Sequence, residues 1–147
     1  MDAHETMGRL DVLAGRWSQE VDAPGEPHGT RTFSWILGGR YLWEESVFEN
    51  PAFPESRSVI EYDEDTGGFR QHYFDARGVT RLYAMELEGT RWTLTRTEAD
   101  FSGLQFSQQF IAEISADGRS VDGQWELSDD GGATWELDFR MRYVRQP

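Results

Sequence analysis

The chain contains no cysteine, which excludes disulfides, thiolate nucleophiles and cysteine-bound zinc. Lysine is missing as well: all 14 basic side chains are arginines, scattered rather than clustered. Set against 27 acidic residues, they leave a formal charge of −13. Such a surface repels nucleic acid and anionic lipid headgroups, so neither is expected as a partner. No apolar run approaches the roughly 20 residues a membrane-spanning helix needs. The opening Met1-Asp2-Ala3-His4-Glu5 lacks the basic-then-apolar order of a secretory signal, so a soluble cytoplasmic protein is expected. The three histidines, His4, His28 and His72, do not have metal-ligand spacing. No nucleophile elbow, P-loop or dinucleotide fingerprint occurs. Neither a metal nor a cofactor is expected.

Aromatic residues, by contrast, make up 14% of the 147 residues, which suits strand faces and cavity walls. The length fits one domain spanning residues 1–147. Met7, Leu10 and Leu13 recur at helical spacing within 4–14, ended by Gly15. That segment reads as a short helix plugging one barrel mouth. From Arg16 to Arg145 the pattern becomes alternation punctuated by Gly-bearing turns. Ten strands are predicted: Arg16–Val21, Thr30–Leu37, Tyr41–Phe48, Arg57–Tyr62, Phe69–Asp75, Val79–Leu87, Arg91–Thr97, Leu104–Ser115, Val121–Leu127 and Trp135–Arg145. Successive strands joined by tight turns pair as neighbours, giving an antiparallel meander. Closure protects its edges, and a barrel wider than eight strands tends to enclose a cavity. The fold class is therefore all-β, a ten-stranded antiparallel meander β-barrel covering 16–145.

Gly15-Arg16-Trp17 resembles the opening signature of the calycin superfamily, the lipocalin-like barrels. That resemblance implies a Trp17 covered by an arginine from near the chain's end, here Arg142 or Arg145. The whole chain also resembles a bacterial family of calycin-like proteins, domain of unknown function 1579. The matching stretches are Leu10-x-x-Leu13-x-Gly15-x-Trp17, Leu37-Gly38-Gly39-Arg40-Tyr41-Leu42, Tyr62-Asp63, Phe74-Asp75-x-x-Gly78 and Asp130-Gly131-Gly132-x-Thr134-Trp135. This likeness implies the fold and transfers no catalytic residue. Ser128-x-Asp130-x-Gly132-x-Thr134-Trp135 resembles the Asp-box hairpin of sialidases and other β-proteins. It implies a structural turn in which the Asp accepts backbone N–H groups and the Trp packs beneath.

Assigning the more apolar face of each strand to the interior places Trp17, Gln19 and Val21 inward. On the third strand it selects Tyr41, Trp43, Glu45 and Val47, and on the fourth Ser58, Ile60 and Tyr62. Arg81 and Tyr83 follow on the sixth strand, Trp92, Leu94 and Arg96 on the seventh. On the eighth come Leu104, Phe106, Gln108 and Phe110, with a bulge near Ile111. The last two strands give Val121, Trp125 and Leu127, then Trp135, Leu137, Phe139, Met141 and Tyr143. Glu45, Arg81, Arg96 and Gln108 are thereby set on apolar faces, where a buried ion demands a partner. One acid against two arginines leaves a guanidinium for a ligand carboxylate or phosphate. Fatty-acid-binding calycins are similar in this logic.

The expected function is binding of a small, largely apolar or amphiphilic molecule with an acidic group. Arg81, Arg96, Gln108 and Glu45 would supply polar contacts, and Trp35, Trp43, Tyr83, Phe106 and Trp125 the apolar walls. A second class is an enzyme that isomerises, cyclises or hydrolyses a small metabolite with His72 or Glu45 as acid or base. A third is a structural barrel filled by its own aromatics. A fourth is haem binding, although nitrobindin-like barrels place their iron-binding His near the chain's end and no His follows His72 here. A homodimer through Ile36, Leu42 or Ile111 stays open.

Overall fold

A computed structural model describes residues 2–98, 100 and 105–147. Ten strands close into a single antiparallel meander barrel: β1 (Gly15–Asp22), β2 (His28–Ile36), β3 (Tyr41–Phe48), β4 (Ser56–Asp63), β5 (Gly68–Asp75), β6 (Thr80–Glu88), β7 (Arg91–Arg96), β8 (Ser107–Ile114), β9 (Ser120–Ser128) and β10 (Glu136–Arg145). Each strand pairs with its sequence neighbours, and β1 pairs with β10 to shut the cylinder. The β3 bounds coincide with the alternation pattern; most other ends move by one or two residues. Among the described residues no helix is long and apolar enough to cross a membrane.

Helix α1 (Ala3–Gly8) opens at Asp2, whose side chain accepts the Glu5 N–H at 2.8 Å. It tightens into a 3-10 turn over Arg9–Leu13. Two short stretches of this kind gain little stability alone. They persist because Met7, Leu10 and Leu13 are buried in the core. Trp35 Nε1 donates to Asp11 at 2.9 Å, and the Arg9 guanidinium donates to the Leu87 carbonyl. One end of the barrel is thus stoppered.

The seam between first and last strands lies at the same end. Trp17 stands opposite Arg145 in the β1–β10 ladder, and the Arg145 guanidinium lies 4.2 Å from the indole centroid. Its Nη1 donates to the Ala14 carbonyl at 2.6 Å, its Nε to the Gly118 carbonyl at 3.0 Å, and its Nη2 to the Val12 carbonyl. Trp17 Nε1 in turn donates to the Leu13 carbonyl at 2.9 Å. Of the two arginines singled out, Arg145 is the one over Trp17; Arg142 pairs with Asp122 on the exposed wall. Gly15 has φ +122°, and a Cβ there would sit 2.7 Å from Arg145 Nη1, so a side chain at this position would disturb the stack.

Three details depart from the alternation pattern. β8 runs without a face switch: Phe110, Ala112 and Ile114 are all buried on one side. The register slip falls instead in β10, between Leu137 and Phe139. It turns Leu137 outward while Phe139, Met141 and Tyr143 stay inside, as a bulge re-aims the residues on one side of it. Leu104 lies outside the described residues. On β9, Gly123 faces inward between Val121 and Trp125, and a Cβ there would come within 2.6 Å of the Phe110 ring.

The Ser128–Trp135 turn closes on itself. Asp130 accepts from the Ser128 hydroxyl (2.6 Å), the Thr134 N–H (2.8 Å) and the Thr134 hydroxyl (2.5 Å). The Gly132 N–H donates to Ser128 Oγ at 2.9 Å, and a Cβ on Gly132 would meet the Trp135 ring at 3.3 Å. Those donors, the Ser128 hydroxyl first, hold the Asp130 carboxyl down at about 2.

Replacing Arg145 with Met removes a cation–π contact and three charged hydrogen bonds, and should cost about 2–4 kcal/mol in urea unfolding. Arg142→Met, which loses only an exposed pair, should cost under about 1 kcal/mol. Equal losses would refute the assignment of the seam to Arg145.

Candidate functional site

Inside the barrel a cavity of about 370 Å³ opens at the end opposite the helix. Its rim is formed by Phe48, Ala52, Phe53 and Pro54, with Arg77, Phe106 and Asp138. The walls differ chemically. From β1 to β5 the inward residues include Gln19, Arg31, Glu44, Ser46, Ser58 and Gln71; from β6 to β10 they include Tyr83, Trp92, Phe110, Trp125 and Tyr143. The aromatic side packs edge to face: Trp92 with Phe110 at 5.2 Å and Tyr83 with Trp125 at 5.6 Å between centroids.

The polar side is organised by a buried ion pair. Arg31 Nη1 lies 2.9 Å from Glu44 Oε1, and Arg31 Nε donates to Gln19 Oε1 at 2.9 Å. Gln19 Nε2 donates to Ser46 Oγ at 2.9 Å, and the Arg31 guanidinium lies 4.8 Å from the Tyr143 ring. Burial opposes the charge on Arg31, yet Tyr143 and Glu44 hold its pKa above the ordinary value. Burial pushes the Tyr143 phenol up to about 12, with Arg31 pulling the other way. Removing one member of such a pair leaves an uncompensated charge, which is costlier than removing both.

Several expected positions are corrected by this geometry. Glu45 is exposed and faces away from the cavity, 3.6 Å from Arg57; Glu44 is the inward acid. Trp43 is outside as well, its Nε1 donating to Glu45 at 3.1 Å, and Trp35 packs against the helical plug rather than lining the cavity. Apolarity misassigned β3 because its true inner face, Leu42, Glu44, Ser46 and Phe48, serves a polar wall: Glu44 goes inside to meet Arg31. Leu42 is consequently fully buried and offers no dimer surface. His72 lies on the outer face of β5, with Nε2 2.9 Å from Glu61 Oε2, away from any ligand in the interior. Arg31, the organising cation, shares its face of β2 with Phe33 and Trp35, so the apolar-face rule itself carried the signal for it, one position along that face before the apolar run begins.

Arg81, Tyr83, Gln108, Phe106 and Trp125 do line the cavity. Tyr83 donates its hydroxyl hydrogen to Gln108 Oε1 at 3.0 Å, and burial raises its pKa while Arg81 opposes the rise. Arg96 is buried at the end of β7 and grips Asp100 with two hydrogen bonds of 2.9 Å; it does not line this cavity. Arg77 is likewise engaged, donating to Asp75 at 2.7 Å. Arg81 makes no ion pair among the described residues; it lies 5.8 Å from the Phe106 ring, and its Nε is buried without a hydrogen-bond partner.

With this geometry in view, the chain is similar along its whole length to a solved structure, the crystal structure of Rv2717c from M. tuberculosis. The match covers 99% of this chain and 100% of that one, at a TM-score of 0.68 and 14% sequence identity. At that identity the likeness concerns the fold alone. No protein-family model matches the chain, and no curated protein matches it. Among the described residues no cluster of three His, Asp or Glu side chains is placed to hold a metal ion.

Arg31→Met alone should destabilise by about 3–5 kcal/mol, whereas Arg31→Met combined with Glu44→Met should cost less than the single change, read by urea unfolding. Alkaline pH supplies a second check. A phenol held near 12 in the fold, but near 10 when unfolded, keeps its stabilising effect below about pH 10 and loses it as pH rises towards about 12. Tyr143→Phe should flatten that decline in stability-against-pH measurements.

Proposed function

We propose that the barrel is a binding protein for a small, largely apolar molecule bearing one acidic group, held by Arg81 near the mouth. The supporting observation is the unequal state of the cavity's arginines. Arg31 is neutralised by Glu44, and Arg77 by Asp75. Arg81 lines the same space with a buried Nε that lacks an acceptor. A carboxylate satisfies it with forked, charge-assisted hydrogen bonds. The volume, about 370 Å³, sits near the low end of small-molecule pockets, about 300–1,000 Å³. An acidic protein surface disfavours anions at long range, so the affinity must come from contact at Arg81 and from the aromatic wall. The Trp17–Arg145 stack further supports kinship with calycin-like barrels.

Decanoate and decanol, differing only at the headgroup, test the reading by calorimetry. Arg81→Met should weaken decanoate about 10- to 100-fold, the equivalent of one charged hydrogen bond of about 1.5–3 kcal/mol, and leave decanol nearly unchanged. Glu45→Gln and Trp43→Phe, on the outer wall, should alter neither. If Arg81→Met binds decanoate as tightly as the parent, the headgroup assignment is wrong.

A further inference from the structure

We propose that the acid recognised at the mouth also carries a hydroxyl that reaches the inner end of the cavity, a hydroxylated aryl acid being the class that fits. This rests on the reading that the cavity binds an organic acid.

The inference starts from atoms that lack partners. Glu44 Oε2, Gln71 Oε1 and Trp92 Nε1 are buried and make no hydrogen bond among the described residues. All three side chains line the cavity, at 2%, 3% and 1% exposure. Buried polar groups in native proteins nearly always have a partner. Three orphans around one cavity therefore point to something that enters it.

Their placement draws them together. Ser58 stands opposite Glu44 in the β3–β4 ladder, and its Oγ accepts from Gln71 Nε2 at 3.2 Å. Glu44 and Gln71 thus flank one serine. Phe33 stands opposite Glu44 in the β2–β3 ladder, and the Trp92 ring packs on Phe33 at 6.1 Å. The Trp92 indole therefore approaches the same corner from the aromatic wall. The set comprises two acceptors and one donor. A hydroxyl carries one donor and two lone pairs, so it can donate to a carboxylate or amide oxygen while accepting from an indole N–H. The torsion that swings a carboxylate or amide is soft, so Glu44 Oε2 and Gln71 Oε1 can turn towards an arriving group.

The rest of the ligand follows from the walls. Trp92, Phe110, Trp125 and Tyr143 present ring faces and edges along one side, where an aromatic ring gains more than a flexible chain does. Arg81 holds the acid at the other end. An alkyl or aryl acid without a hydroxyl would fill the same volume but leave the three orphans unpaired, and sites built to bond a hydroxyl reject analogues that lack it.

The test compares 3-phenylpropionate with 3-(4-hydroxyphenyl)propionate by calorimetry at pH 7, where the phenol, titrating near 10, is neutral. The hydroxylated acid should bind at least about 10-fold more tightly. Gln71→Met, which removes one unpartnered acceptor and leaves the Arg31–Glu44 pair intact, should shrink that preference to about threefold or less. Trp92→Phe, which removes the indole donor and keeps a ring, should shrink it in the same direction, and serves if Gln71→Met fails to fold. Equal binding of the two acids, both weakened by Arg81→Met, would overturn the hydroxyl inference alone: the orphans would then be satisfied by buried water, and the acid-binding reading would stand. Binding of neither acid would overturn both.

Discussion

The barrel depends on one junction, where its first and last strands meet. Nine of the ten pairings join sequence neighbours across short loops, but the β1–β10 ladder closes a loop of nearly the whole chain. Such a contact carries the largest chain-entropy cost of any in the fold. The Arg145 guanidinium meets that cost with several contacts at once. It covers the Trp17 indole and ties the last strand to carbonyls of the plug segment and of the β8–β9 turn. Cylinder, stopper and seam therefore meet at a single side chain.

Closure at one end dictates where the cavity opens. The helix, the Asp11–Trp35 bond and the Arg9–Leu87 bond occupy the stoppered side, so access is from the rim formed by the 49–55 loop and the β5–β6 turn. The interior then sorts by wall rather than by depth. Polar side chains gather on the early strands around the Arg31–Glu44 pair, and rings gather on the later ones. A uniform apolar interior would favour any greasy molecule; a divided one rewards a ligand with a polar edge and a flat face. Buried ion pairs contribute little net stability, so the Arg31–Glu44 pair is better understood as setting the polarity of that wall.

The architecture was legible because strand alternation and hairpin chemistry are local properties. Gly38-Gly39, Ala76-Arg77-Gly78 and Asp117-Gly118 sit where the chain reverses, at glycines with positive φ. Ten alternating segments without a long helix leave few topologies. The site was only half legible. Arg81, Tyr83, Gln108 and Trp125 lie on strands whose inner face really is the more apolar one, and Phe106 directly precedes β8. On β3 the rule fails, because Glu44 is drawn inside by Arg31 on the neighbouring strand, a long-range pairing that one strand's pattern cannot reveal. Arg96 was correctly set on an inner face, but its partner, Asp100, comes from the following loop and takes it out of the cavity. His72 and Glu61 pair across strands on the outside, which periodicity alone could not distinguish on a β5 strand with two mixed faces.

Gly123 adds a consequence for size. The space its side chain would claim is taken by the Phe110 ring, whose Cε1 and Cζ would lie 2.6 Å from a Cβ there. Because interiors are close-packed, even one methyl at that position would push the ring towards the lumen and shrink the room for a guest. The volume of the cavity thus depends in part on an atom that is missing from its wall, and a side chain at that one residue would reduce it without touching a polar contact.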